Sequence, residues 1–289
     1  MRSRLVPLLC LLFLAGVACR GETDSGKVRV VASIYPLAWI AEEVGGDRVE
    51  VIDLTPPGVE AHDVQLTAEQ RSEIEDSEVV LMLPVPGFQK AVEDAVANSD
   101  ATVVRVLSES FHREPTESTD PHLWLDPILV RTAVAQVGQV LSDSDPGGRP
   151  AYEQAATSLR KELDVLSDEL RSGFDNCKFT DFVTTHEAFG YLAQAAGLQQ
   201  IGIEGITPES EPSAERIDAA IQAIESGEAA PVVFYEETDE GKRIAESVAS
   251  DAGVPTLPLN TLESEPETGD YISVMRENLA NLRKGLQCS

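Results

Sequence analysis

Positive charge is scarce in this chain. Its 289 residues hold 22 Lys and Arg against 50 Asp and Glu, for a formal charge of −28. A surface of that sign repels phosphate, which argues against nucleic acid and anionic membrane surfaces as direct partners. It admits a cationic ligand, and it equally suits a surface kept soluble in a salty or extracellular setting. The usual enzyme signatures are missing too: no HExxH, GxSxG, P-loop or GxGxxG segment occurs, and no Cys neighbours a His in a catalytic pattern. Cysteine and histidine number four each. The apolar run that begins at Leu5 ends at Val17, too short to span a membrane. What the chain does have is an apolar content of 42%, ample for a core, and a length beyond the usual single domain of about 100–150 residues. Two lobes or one large α/β domain both fit.

Arg2 and Arg4 followed by the apolar run give residues 1–18 the layout of an export signal. The run closes on Leu14-Ala-Gly-Val-Ala-Cys19, which resembles a bacterial lipobox with Gly16 where Leu is usual. Cleavage there would make Cys19 the lipidated N-terminus and residues 19–27 a polar tether to the folded part. It would also remove Arg2 and Arg4, leaving the chain two charges more negative. With Cys10 lost and Cys19 lipidated, Cys177 and Cys288 remain as an even pair in an exported, oxidising compartment. They are a candidate disulfide pinning the C-terminus to the second half.

From residue 28 short β-rich runs alternate with helical segments: VRVVASI, RVEVIDLTP, EVVLMLP and TVVRVL, with helices between. Thr67-Ala-Glu-Gln70 has the spacing of a capping box and predicts a helix start. Asp126 followed by Pro127 predicts another, over residues 127–144. Residues 150–172 carry apolar side chains at helical period for roughly 35 Å, long enough to join two lobes. The alternation then resumes through FTDFVTT, QQIGIEG, PVVFYEE and TLPLN. The fold class that follows is α/β: two lobes of four β/α units with mainly parallel sheets. A first lobe would span residues 28–145, a linking helix 146–172 and a second lobe 173–289.

Three of the four histidines fall in loops just past predicted strands. His62 follows RVEVIDLTP, His122 precedes the Asp126 cap, and His186 ends FTDFVTT; His112 lies in a polar stretch expected to face solvent. Ligands of open α/β sheets bind outside the carboxyl ends of strands, so these three can converge on a metal, for which imidazole is a common ligand. Tetrahedral zinc needs a fourth donor, and Glu60, Glu236, Glu237 and Glu263 are placed to supply it.

Six segments resemble, in order, the zinc and manganese solute-binding lipoproteins of bacterial ABC importers. They are PPGVEAHDVQLTAEQ, DPHLWLDP, THEAFGYLAQAAGL, ESEPSAERI, VVFYEE and LNTLES, the last followed by GDYISVMRENLANL. The resemblance implies a metal site between the lobes, ligated by His62, His122, His186 and Glu263. It implies a monomeric, lipid-anchored extracytoplasmic receptor that binds Zn²⁺ with high affinity and passes it to a membrane permease. Three imidazoles and one carboxylate suit Zn²⁺ better than Mn²⁺, which prefers more oxygen. Residues 109–119 hold only His112, without the His-rich tract found in many zinc importers. Asp63, Glu187 and Glu236 are candidates to orient imidazoles, Trp124 to pack between lobes. Because neutral imidazole binds metal, affinity is expected to fall below the ordinary histidine pKa of about 6.5. The alternatives are a manganese receptor, a zinc hydrolase using Glu60 or Glu263 as general base, and a surface adhesin or metal buffer on the same scaffold.

Overall fold

The computed structural model describes residues 26–108, 120–206 and 212–289. The signal segment, Cys19 and His112 lie outside them.

The first lobe is built on β1 (Val28–Ala32), β2 (Val49–Asp53), β3 (Val79–Met82) and β4 (Thr102–Arg105), all parallel in the order β2-β1-β3-β4. The second repeats that order with β5 (Asp181–Thr184), β6 (Gln199–Gly202), β7 (Ala229–Glu236) and β8 (Thr256–Leu259), as β6-β5-β7-β8. The expected α/β class and the equivalence of the halves are both observed. β1 and β3 are Val-rich and almost wholly buried, as strands covered on both faces by helices must be.

The covering helices are α1 (Tyr35–Gly45), α2 (Ala68–Asp76), α3 (Lys90–Val96), α4 (Pro127–Ser144), α5 (Arg149–Ser172), α6 (Gly190–Ala196), α7 (Ala214–Ser226), α8 (Asp239–Ala252) and α9 (Tyr271–Gly285). Their starts follow from local chemistry. Thr67 and Gln70 form the expected capping box, and Asp126 accepts from the Ile128 amide with Pro127 as the first helical residue. α6 begins at Gly190, later than its apolar pattern suggests, because residues 187–189 turn away with His186. α8 ends at Gly253, whose φ of 68° closes the helix in the left-handed conformation that glycine adopts without steric cost.

α5 is the longest element, 24 residues or about 36 Å. Tyr152, Ala156, Leu159, Leu163, Leu166 and Leu170 form its buried stripe, at three- and four-residue steps. It packs on α1 and α4 of the first half and on α6 and α9 of the second, so a single helix bridges both lobes. One apolar core runs through this helical layer, and a smaller core lies beneath the outer helices of each sheet. At the start of α5 the Tyr152 hydroxyl and the Arg48 guanidinium both donate to Asp145, fixing the helix to the first lobe. At its far end a disulfide joins Cys177 to Cys288. Among the described residues no helix is long and apolar enough to cross a membrane.

Candidate metal centre

His62 sits on a single 3-10 turn, Ala61–Asp63, in the loop that leaves β2. His122 begins the 3-10 turn Leu123–Leu125 that leads into α4. His186 lies two residues past β5, and Glu263 four residues past β8. All four belong to loops at the carboxyl edges of the two sheets, where helices no longer cover the strands. β5 and β7 flank the point at which the second sheet's strand order reverses; there His186 follows β5 and Glu236 ends β7.

The side chains converge. One ring nitrogen from each of His62, His122 and His186 lies within 4.8 Å of the others, and the ring centroids are 5.0–5.8 Å apart. Glu263 Oε1 stands 3.2 Å from His122 Nε2 and 3.8 Å from His62 Nε2. His186, Glu236 and Glu263 form a second group, again within 4.8 Å. His122, His186, Glu236 and Glu263 are buried, which is costly for charged groups unless they meet partners or a cation.

Each ring is oriented by a carboxylate or an aromatic side chain. Asp120 Oδ1 accepts from the His122 amide at 2.9 Å and faces His122 Nδ1 at 2.7 Å. Glu236 Oε2 lies 2.9 Å from His186 Nδ1, while its Oε1 accepts from the Thr261 hydroxyl. The His62 ring rests edge to face on Phe88, 4.8 Å between centroids, and among the described residues its buried Nε2 has no hydrogen-bond partner. Gln89, beside Phe88, donates to the Ser33 carbonyl at 2.8 Å and the Ala61 carbonyl at 3.4 Å, tying the His62 turn to the end of β1. An imidazole nitrogen with no other partner, facing a buried carboxylate, is a donor arrangement that could hold a cation.

The electrostatics differ ring by ring. Burial drives His62 down to about 4, helped by the charges of His122 and His186, so it is neutral. Burial also works to lower His122, but its hydrogen bonds to Asp120 and Glu263 outweigh it and the pKa is raised. His186 responds in the same way: burial opposes the proton, while the hydrogen bond and charge of Glu236 raise the pKa to about 9. Its Nε2 meets the Ile206 carbonyl at 2.9 Å, so acceptors face both nitrogens and only an imidazolium donates to both. Burial would raise Glu263, yet the His122 hydrogen bond and the three imidazoles hold it down to about 2.

The loop carrying Glu263 is firmly built. Leu262, fully buried, has φ 57°, a conformation strained for a non-glycine residue. Asn260 Oδ1 accepts from the Leu262 amide, and Asn278 from α9 brackets Asn260 by accepting from its amide and donating to its carbonyl. The Trp124 indole donates to the Thr261 carbonyl at 2.7 Å, and the Tyr271 hydroxyl donates to the Trp124 carbonyl at 2.6 Å. Trp124 is thus packing between lobes, as expected, and also a hydrogen-bonding strut.

The remaining candidates separate. Glu60 is half-buried at the cleft mouth and, among the described residues, joins neither donor group. Burial, with Glu236 and Glu263 adding to it, raises its pKa to about 7. Glu237 is exposed and accepts from the Asn260 side-chain amide. Asp63 is exposed beside a pocket of about 120 Å³ that opens onto His186. Among the described residues the Glu187 carboxylate bonds no imidazole and instead pairs with Arg216 at 3.2 Å, because the chain at His186 turns its neighbour outward. Asp120, Thr261, Gln89 and Asn278 escaped the sequence reading; only Asp120, two residues from His122, carried a local signal.

Two pseudo-equivalent α/β lobes and one bridging helix thus bring three histidines and one carboxylate together between the lobes, a donor set that could hold a metal ion. The chain belongs to the zinc-uptake complex component A periplasmic family, ZnuA, whose model matches residues 30–285. It is 30% identical to the zinc-binding lipoprotein AdcA of Streptococcus pneumoniae over 98% of its own length and 60% of that protein's, so it spans about three fifths of that relative. It is 29% identical to the high-affinity zinc uptake system protein ZnuA of Bacillus subtilis, over 96% of both chains. The crystal structure of the Zn(II)-bound ZnuA-like domain of S. pneumoniae AdcA superposes with a TM-score of 0.77 at 28% identity, covering 90% of this chain and 99% of that one.

Proposed function

We propose that this protein is an extracytoplasmic Zn²⁺ receptor of an ABC importer, anchored through a lipid on Cys19, acting as a monomer and handing its cargo to a membrane permease. Residues 28–145 form its first lobe, 146–172 the linking helix and 173–289 the second lobe. His62, His122, His186 and Glu263 are its ligands. The observation that carries this reading is the buried meeting of three imidazoles with one carboxylate, in which His62 Nε2 lacks any other partner among the described residues. That donor set favours Zn²⁺ over Mn²⁺. Four protein donors also complete a tetrahedral shell, which suits a carrier; a zinc hydrolase keeps one position open for water.

The test is a competitive titration with a chromophoric chelator, on protein carrying Zn²⁺, Mn²⁺ or neither. Native protein should take one Zn²⁺ and exchange Mn²⁺ for it. The His62→Ala, His122→Ala, His186→Ala triple variant should bind none, and zinc affinity unchanged in that variant would sink the ligand assignment. Manganese retained against equimolar zinc would overturn the choice of metal.

A further inference from the structure

Asp120 stands at the start of the DPHLWLDP segment, and Gly190 opens α6 in the second half of the chain. Asp120 Oδ1 is committed twice, to the backbone amide and to Nδ1 of His122. Its other oxygen lies against Gly190: a Cβ placed on that residue would be 2.9 Å from Asp120 Oδ2, closer than real Cβ atoms approach any neighbour. A carboxylate at the end of a free side chain would swing aside at little cost. This one is anchored by both His122 contacts, so moving Oδ2 aside shifts the same carboxylate whose Oδ1 holds the imidazole.

We propose that Gly190 is a positioning residue for His122: by lacking a side chain it leaves room for the Asp120 carboxylate that sets the ring's orientation. A position remote in sequence, and touching no ligand atom itself, thereby governs how His122 Nε2 meets the cation. The inference rests on His122 being a zinc ligand. It goes further in making the glycine of THEAFGYLAQAAGL part of the binding machinery and not merely a helix start. Orienting contacts of this kind are worth about 10–100-fold in metal affinity.

Gly190→Ala is judged at the site and not by stability alone: displacing Asp120 from His122 costs hydrogen bonds and lowers the melting temperature modestly, whereas only a disturbed His122 alters the spectrum of a bound metal. Zn²⁺ affinity is read by chelator competition, and the geometry at His122 by the visible absorption of the Co²⁺ derivative. Gly190→Ala should weaken Zn²⁺ by about tenfold and change the Co²⁺ spectrum. Asp120→Ala should weaken Zn²⁺ at least as much. The double variant should be no weaker than Asp120→Ala alone, since no carboxylate remains to be displaced. Native affinity and spectrum in Gly190→Ala, losses that multiply in the double variant, or a lowered melting temperature with an unchanged Co²⁺ spectrum would each overturn the proposal. His122→Ala is the control that keeps the two readings apart: native zinc affinity in that variant refutes the site itself and the inference with it. A weakened His122→Ala beside a native-like Gly190→Ala refutes the inference alone.

Discussion

Glu263 fastens Ala61 across the cleft: its Oε2 accepts the Ala61 amide at 2.7 Å, one residue before His62. The same carboxylate turns Oε1 toward His122 and His62. One side chain of the second lobe therefore holds the turn that carries a first-lobe histidine and supplies the negative charge between the rings. The Gly58 amide donating to Ser264 at 3.1 Å adds a second stitch along the same edge.

Glu263→Gln preserves an acceptor for the Ala61 amide but replaces the anion with a neutral amide. Zinc affinity should fall by about 10–100-fold while the far-ultraviolet circular dichroism stays native, a loss within the range of perturbed metal sites. Chelator competition measures it; native affinity would remove Glu263 from the ligand set.

Zinc uptake should expel protons near neutral pH. With His122 raised and His186 at about 9, against an ordinary value near 6.5, bound protons compete with the cation well above the range expected from the sequence. The correction has a physical cause, since each ring faces a carboxylate that favours its charged form. Apparent affinity should climb as pH rises toward about 9, roughly tenfold per unit for each proton displaced. Calorimetry in buffers of different ionisation enthalpy counts those protons, and a count of zero at pH 7 would contradict the assignment.

Stability of chelator-treated protein should run the other way. A folded pKa raised above the unfolded one contributes stability that is complete below the unfolded value and lost as pH passes the folded value. For His186 that window runs from about 6.5 to about 9, so its melting temperature should decline across it. Glu236→Gln, which removes the anion facing His186 Nδ1, should flatten that decline.

Trp124→Phe leaves the buried Thr261 carbonyl without its donor. An unsatisfied buried acceptor costs about 1–3 kcal/mol, so the denaturation midpoint should drop with little change in slope. An unchanged midpoint would mean that Trp124 acts through apolar packing alone.

Reduction of the Cys177–Cys288 bridge, or the Cys177→Ser, Cys288→Ser double variant, opens a loop closed by cysteines 111 positions apart. Closing loops of that size stabilises by about 2–5 kcal/mol. Thermal unfolding should shift downward accordingly, with zinc stoichiometry unchanged because the bridge lies away from the cluster.

Much of the scaffold was legible because its causes are local. The Thr67–Gln70 box, the Asp126 cap with Pro127, the Val-rich central strands and the stripe on α5 each depend on residues within a turn or two. Placing His62, His122, His186 and Glu263 just past strands was enough to bring them to one edge, since parallel β/α units send every such loop to the same side. Linear spacing decided nothing about which carboxylate enters the cluster or which guards a ring. The resemblance favours Glu263 with Glu60 as its rival, but only folding shows Glu263 buried against Ala61 and Glu60 at the mouth. Glu187 stood next to His186 in the chain and pointed away, whereas Glu236, fifty residues on, reached its Nδ1. Backbone alternation and capping are read within one element. Partner choice, burial and the resulting proton affinities depend on side chains from separate loops, and those meet only once both sheets have closed onto the helical layer between them.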